Sequence, residues 1–447
     1  MKRILCMLMT SCIATALAAT YTMELSLVEH SDGYYQEGET ITCKGRPLWD
    51  GQPLNSGENC LCTVKFEGKV VEKIPFTANG EYHEFSAKAP RPGWNHFGFE
   101  ILDAEGKPRK GAGITRFAPK PSVFGEIGAV TASDRIRTSI PCPDDFVAFW
   151  EKAQQEVRAL PIEAETKPLD VPEKYQGKVR LYALTVNCPT DNPVTGYLAL
   201  PVEKDKKLSA VIEFLSWSWT DANRNAAMER ASQGQLSMHC TWHGLPVGQP
   251  KEYYVQAGKG FNGAKGCEVR ENWIFRNCAL RVLRALAYLE QRSEWDGKNL
   301  AVMGGSLGGF EASVASALDK RVTLAIISVP TFCEFDAPMC GRFRSLPFQG
   351  GNGSLATPKT MEQMAYYDCV NFARFITCET FVCTGFADEL CPPSNVFAMY
   401  NNIPSTTRKE MSTSPLTGHY GTTKNVKGNQ RIQDYLRGIT VRKFDDY

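Results

Sequence analysis

Between residues 20 and about 120 the chain alternates short β-branched or aromatic runs with turn residues. Residues 22–28, 40–44, 60–66, 83–87 and 95–102 have the pattern of strands. The segments Ser31-Asp32-Gly33, Gly51-Gln52-Pro53, Ala78-Asn79-Gly80 and Pro90-Arg91-Pro92-Gly93 supply the reversals between them. Glycine reaches positive φ without a steric cost and proline presets φ, so such clusters punctuate strands. This spacing predicts a small Ig-like β-sandwich over residues 19–120. Trp94 and Tyr82 have two readings there, as exposed platforms for a sugar ring or as packed aromatics; the packed reading is favoured, because aromatics are mostly buried.

From about residue 121 the period changes. Residues 178–187, 195–200 and 209–215 are strand-like, as are 299–303, 322–329 and 380–384. Between them, Ile274, Cys278, Val282, Ala285, Leu286 and Leu289 recur at three- and four-residue spacing, which marks a helix, and 306–318 continues as another. A further helix is expected from Val147 to Leu160, entered through Pro143-Asp144-Asp145-Phe146, with Asp144 or Asp145 capping its first N–H groups. Strands alternating with helices predict an α/β fold over 121–447, a mostly parallel sheet covered on both faces.

The first residues carry an address. Met1-Lys2-Arg3 gives a positive start, residues 4–17 an apolar run, and Ala16-Leu17-Ala18 a small-x-small cleavage site. This is the pattern of a secretory signal peptide over 1–18, with cleavage expected near Ala18 and a secreted or periplasmic destination. The run is interrupted by Thr10, Ser11 and Thr15 and falls short of the roughly 18–20 apolar residues a membrane span needs. Met9-Thr10-Ser11 before Cys12 is a poor lipoprotein signal. Without Lys2 and Arg3 the balance is 48 basic against 49 acidic residues, which gives no electrostatic support for nucleic-acid or acidic-membrane partners. Fourteen of the 16 cysteines follow the leader; export permits disulfides, but pairing cannot be read from spacing.

The strongest chemical signal lies at the 299–318 strand–helix junction. Gly304-Gly305-Ser306-Leu307-Gly308 fits G-x-S-x-G, in which the glycines permit a tight turn that presents the serine hydroxyl above the sheet. Serine needs a base, and the chain has six histidines, His30, His83, His96, His239, His243 and His419. The α/β-hydrolase order is Ser, acid, His, and only His419 follows Ser306. Asp388, just after the 380–384 strand, is the expected acid; Glu389 is its main rival, and Asp336 and Asp368 are more distant ones. The backbone N–H of Leu307 and that of Trp217, after the 209–215 strand, are the expected oxyanion donors. His239 and His243 also invite a metal reading, but Gly244 and Pro246 work against a helix presenting both rings, so pocket lining or packing is favoured. The chain has no dinucleotide fingerprint, P-loop or H-E-x-x-H, and no cofactor or metal is expected.

From Pro143 onward these residues resemble the acetyl xylan esterase and cephalosporin-C deacetylase group, carbohydrate esterase family seven. Pro143-Asp144-Asp145-Phe146-Val147-Ala148-Phe149-Trp150 is similar to its P-x-D-F-x-x-F-W segment. Glu294-Trp295-Asp296-Gly297 leads into a nucleophile segment similar to G-x-S-Q-G-G. Asp388-Glu389-Leu390-Cys391-Pro392-Pro393 resembles its acid loop, and Gly418-His419 its base. Leu307 stands where the family has Gln, and Leu215-Ser216-Trp217 where it has His-Gly-Tyr. Its arginine-glycine-glutamine-glycine segment has no clear counterpart; residues 243–250 occupy that region. The resemblance implies an α/β-hydrolase that deacetylates xylan or related oligosaccharides without a cofactor. A hydrolase of bulkier esters on the same fold and a non-catalytic glycan-binding relative are the alternatives.

Overall fold

The structure, a computed structural model, describes residues 21–109, 123–139, 141–203, 206–422, 430–431 and 433–434. The leader expected over 1–18 lies outside the described residues.

Two sheets build the front region. One holds Tyr21–Leu27, Thr40–Trp49, Gln52–Pro53 and His83–Lys88; the other runs Tyr34–Tyr35, Val123–Thr131, Gly93–Ile101, Asn59–Phe66, Lys69–Thr77. The period-two alternation of Thr40–Trp49 turns Ile41 and Cys43 inward, and that of Asn59–Phe66 does the same for Cys60, Cys62 and Val64. They meet Phe85, Phe97, Phe99 and Ile127 in one apolar core. All fourteen cysteines among the described residues carry free thiols. The two long strands of this region that the sequence reading missed are Lys69–Thr77 and Val123–Thr131. Lys69–Thr77 is an outer edge whose side chains are exposed or half-buried, so it lacks a strong apolar face. Val123–Thr131 pairs antiparallel with Gly93–Ile101, which carries the front fold past the boundary expected at residue 120.

Behind it stands a nine-stranded sheet in the order Ala164–Leu169, Val179–Val186, Val194–Pro201, Leu236–Cys240, Leu208–Phe214, Trp295–Gly305, Leu324–Ser328, Glu379–Gly385, Lys409–Ser414. The first three strands join antiparallel and the remaining six are mutually parallel. Leu324–Ser328 is buried along its whole length, as a strand covered on both faces must be. Phe146–Ala159 buries Phe146, Trp150, Ala153 and Val157, a single stripe at helical spacing. The expected side-chain cap on this helix is absent: Asp145 sits at the N-cap without capping, because its carboxylate takes the Tyr366 hydroxyl and faces Arg270 at 3.3 Å. No helix among the described residues is long and apolar enough to cross a membrane.

The two units meet around Phe386. The fully buried Trp94 donates its indole N–H to the Phe386 carbonyl at 2.6 Å, so its role is packing rather than a sugar platform. Gly128 donates to the Pro415 carbonyl, and a Cβ there would come within 1.7 Å of the Phe386 oxygen. Only glycine allows that approach.

Candidate active site

The sheet carries the candidate residues at the carboxyl ends of its parallel strands. Ser306 follows Trp295–Gly305 and precedes the helix Leu307–Leu318. Its backbone sits at φ 58°, ψ −119°, a region that side chains other than glycine rarely occupy. The turn is fixed from several sides: the Ser306 N–H bonds the Ser328 carbonyl at 2.9 Å, and the Thr331 N–H bonds the Ser306 carbonyl at 3.1 Å. A Cβ on Gly304 would lie 2.3 Å from the Gly308 oxygen, and one on Gly308 would lie 2.4 Å from the Phe214 oxygen. The motif glycines are therefore steric requirements of this turn. Ser306 itself retains a small exposed area, 7%.

Asp388 and His419 come together across the loops after Glu379–Gly385 and Lys409–Ser414. His419 Nδ1–H donates to Asp388 Oδ2 at 2.8 Å. Asp388 Oδ1 accepts the N–H groups of Leu390 at 2.8 Å and Cys391 at 2.9 Å, and its carboxylate has no solvent exposure. Burial lowers the affinity of His419 for a proton, but the Asp388 charge and hydrogen bond raise it by more, and the net shift is upward from 6.5. Nδ1 is thus committed to Asp388, and Nε2 is the ring's second titratable nitrogen.

The rival acids are engaged elsewhere. Glu389 turns toward the front domain and pairs with Lys65. Asp336 accepts from Thr138 Oγ1 and from the N–H and hydroxyl of Ser139. Asp368 accepts the N–H groups of Glu334, Phe335 and Val370. His239 and His243 are also committed. His239 Nδ1 accepts from the Asn223 N–H; His243 Nδ1 accepts from the Leu245 N–H while its Nε2 meets the Thr220 carbonyl at 3.0 Å. Burial is the largest influence on His243 and pushes it down to about 4, a neutral ring packed flat against Trp219.

Leu307 opens its helix, where the first N–H groups lack intrahelical acceptors. Trp217 lies in the loop after Leu208–Phe214, its ring against Phe275 at 5.0 Å and near Phe332 at 6.4 Å. The residue between it and Leu215 was not singled out from the sequence: the Ser216 hydroxyl donates to the Gly305 carbonyl at 2.8 Å and ties this loop to the Ser306 turn. The polar residue inside Leu-Ser-Trp was its available signal. Cys391 was also missed. Its Sγ lies with ligand atoms of Asp388 and His419 inside 4.8 Å. Both Asp388 oxygens and His419 Nδ1 are already used, and burial followed by the Asp388 charge holds the Cys391 thiol well above its ordinary range. The trio therefore has the chemistry of an acid–base pair beside a neutral thiol, and less that of a cation site, which needs thiolate.

The acetyl xylan esterase (AXE1) family model matches residues 133–437, beginning two residues after the last strand of the front sandwich. The chain is similar to the acetyl esterase Axe7A of Xylanibacter ruminicola, with 26% identity over 423 residues, 92% of this chain and 91% of the relative. Among solved structures it resembles an acetyl xylan esterase from Paenibacillus sp. R4, with TM-score 0.59, 21% identity, and coverage of 68% of this chain and 98% of that one. It also resembles acetyl xylan esterase 1 from Thermoanaerobacterium sp. JW/SL YS485, with TM-score 0.56, 21% identity, and coverage of 68% and 97%. These two likenesses establish the α/β-hydrolase fold.

Proposed function

The chain belongs to the acetyl xylan esterase family and is a carboxylic ester hydrolase, and from that premise we propose that it is exported and removes O-acetyl groups from acetylated xylan or related oligosaccharides, with Ser306, His419 and Asp388 as its catalytic triad. The observation that carries this reading is the buried 2.8 Å Asp388–His419 pair on the same sheet edge as the strained Ser306 turn.

In the proposed reaction Ser306 Oγ attacks the acetyl carbonyl carbon while His419 Nε2 takes its proton. Negative charge gathers on the carbonyl oxygen, where the Leu307 and Trp217 N–H groups supply the donors. The intermediate collapses, the bond to the sugar oxygen breaks, and His419 returns the proton to that oxygen. Water, deprotonated by His419, then attacks the acetyl–Ser306 ester and releases acetate. Asp388 holds the imidazole orientation and stabilises the imidazolium without taking the proton.

The sign of the pH dependence follows. His419 acts as base only when neutral, and its pKa is raised above 6.5, so kcat/KM is expected to fall on the acid side with a midpoint above 6.5. A midpoint at or below 6.5 would contradict the pairing. The same pair stabilises the fold below pH 6.5 and loses that contribution as pH rises through the raised value.

Acetate release from acetylated xylan, with acetyl and butyryl esters of one small alcohol alongside, tests the assignment. Release from xylan and a steep fall from acetyl to butyryl are expected. Efficient butyryl cleavage would transfer the site to a bulkier ester. Glycan binding by folded protein without acyl turnover would make it a binding relative.

A further inference from the structure

A concavity lies at the seam between the two units, and Ser306, Asp388 and His419 are not among its walls. It has a volume of about 440 Å³ and is walled by the front-domain turn Glu67-Gly68-Lys69 and by Arg342, Phe343, Arg344 and Gln349 of the hydrolase unit. Its walls are fixed in place. The buried Glu67 carboxylate accepts the N–H groups of Trp94 and Phe343 and the Ser394 hydroxyl. Arg91 of the front domain donates to the Gly341 carbonyl at 2.7 Å. Gly68, at φ 73°, sits so close to Phe343 that a Cβ would come within 2.1 Å of its ring. Gln349 Nε2 donates to the Leu390 carbonyl at 3.1 Å, which links this wall to the loop that carries Asp388.

The charge around the cavity is unbalanced. Arg342 is neutralised by the buried Glu334, and the oxygens of Glu67 are already occupied by the seam. Lys69 and Arg344 form no ion pair with the described residues. The Arg344 guanidinium is nevertheless held: it lies against Gly353 and makes a 3.5 Å contact to the Phe348 carbonyl. Lys69 and Arg344 line the same cavity; a planar guanidinium fork and an ammonium suit a carboxylate, and the half-buried Phe343 ring suits the apolar face of a sugar. The volume is in the range of small-ligand sites.

We infer that this seam cavity is a subsite for a uronate unit carried on the glycan chain that the active site deacetylates, with Lys69 and Arg344 binding its carboxylate. The choice of sugar rests on the acetylesterase reading above; the anion site itself does not. The front domain is then part of the substrate-binding surface as well as a brace.

The test is calorimetric binding to the full chain of a xylo-oligosaccharide bearing one glucuronate, against a neutral one of equal length, both without acetyl groups. The acidic oligosaccharide is expected to bind about tenfold more tightly at low salt, with the preference shrinking as salt rises. Lys69→Gln combined with Arg344→Gln should abolish the preference while the neutral oligosaccharide binds as before and the melting temperature holds. Equal affinities in the unsubstituted protein, or a preference that survives both substitutions, overturns the proposal. A preference that holds in a protein releasing no acetate from any ester keeps the subsite and removes the esterase reading. Acetate release without the preference does the reverse.

Discussion

Replacing Ser306 by alanine is expected to lower turnover of a small acetyl ester by on the order of 10⁶, the scale on which a triad nucleophile acts. The substitution removes one oxygen and leaves Cβ, so the φ 58° backbone and its bonds to Ser328 and Thr331 stay in place. Far-UV circular dichroism and the melting temperature should therefore be unchanged, and substrate should still bind. A residual rate of roughly 10³–10⁴ over water would remain if the N–H donors continue to polarise the carbonyl. Steady-state acetate release with burst-phase titration of the unsubstituted enzyme reads both points: a burst of leaving group signals the acyl-enzyme, and the variant should show none. Retention of most activity in a folded variant would remove Ser306 from the mechanism and leave the family membership intact.

What could be read from the chain was what local sterics or simple order determines. Gly304 and Gly308 had to be glycine because a Cβ at either would strike backbone oxygen, so the strand–turn–helix at Ser306 was legible from spacing alone. His419 followed from order, as no other histidine lies beyond the serine. Asp388 was separable from Glu389 only by assumption, because the distinction is tertiary: Lys65, 324 positions away, draws Glu389 toward the front domain. The strand Val123–Thr131 was lost for a related reason. Its Gly125 and Gly128 resemble strand breakers, yet Gly125 makes room for Met23 and Gly128 for the Phe386 carbonyl. Asp145 misled in the opposite direction, since its position fits a cap while Tyr366, from a distant segment, claims its carboxylate. Trp94 illustrates the same limit, as an aromatic in a β domain serves a sugar or a seam equally well until its indole partner is known. The front domain grips Phe386, two residues before Asp388, with Trp94, Gly33 and Gly128. That arrangement makes it a support for the loop that carries Asp388, and no local pattern encodes it.

The second large effect is expected at that loop. Asp388→Asn should lower kcat by about 10⁴ with little change in KM. Asparagine preserves the shape, and its carbonyl oxygen can still accept the Leu390 and Cys391 N–H groups that hold Oδ1. Its amide then faces His419 with a donor, which favours the ring tautomer carrying its proton on Nε2 and leaves no lone pair for the Ser306 hydroxyl. The loss is thus one of tautomer and charge rather than of fold. The pH profile separates this from a structural failure. Of the influences on His419, burial lowers its pKa, and both raising causes come from Asp388. Without them the acid limb of the residual kcat/KM should move from above 6.5 to below it, and the melting temperature should lose its stabilising contribution at low pH. A variant with a large rate loss but an unmoved acid limb would show that Asp388 supports the loop without setting the state of His419, and the base would then have to be oriented by another group.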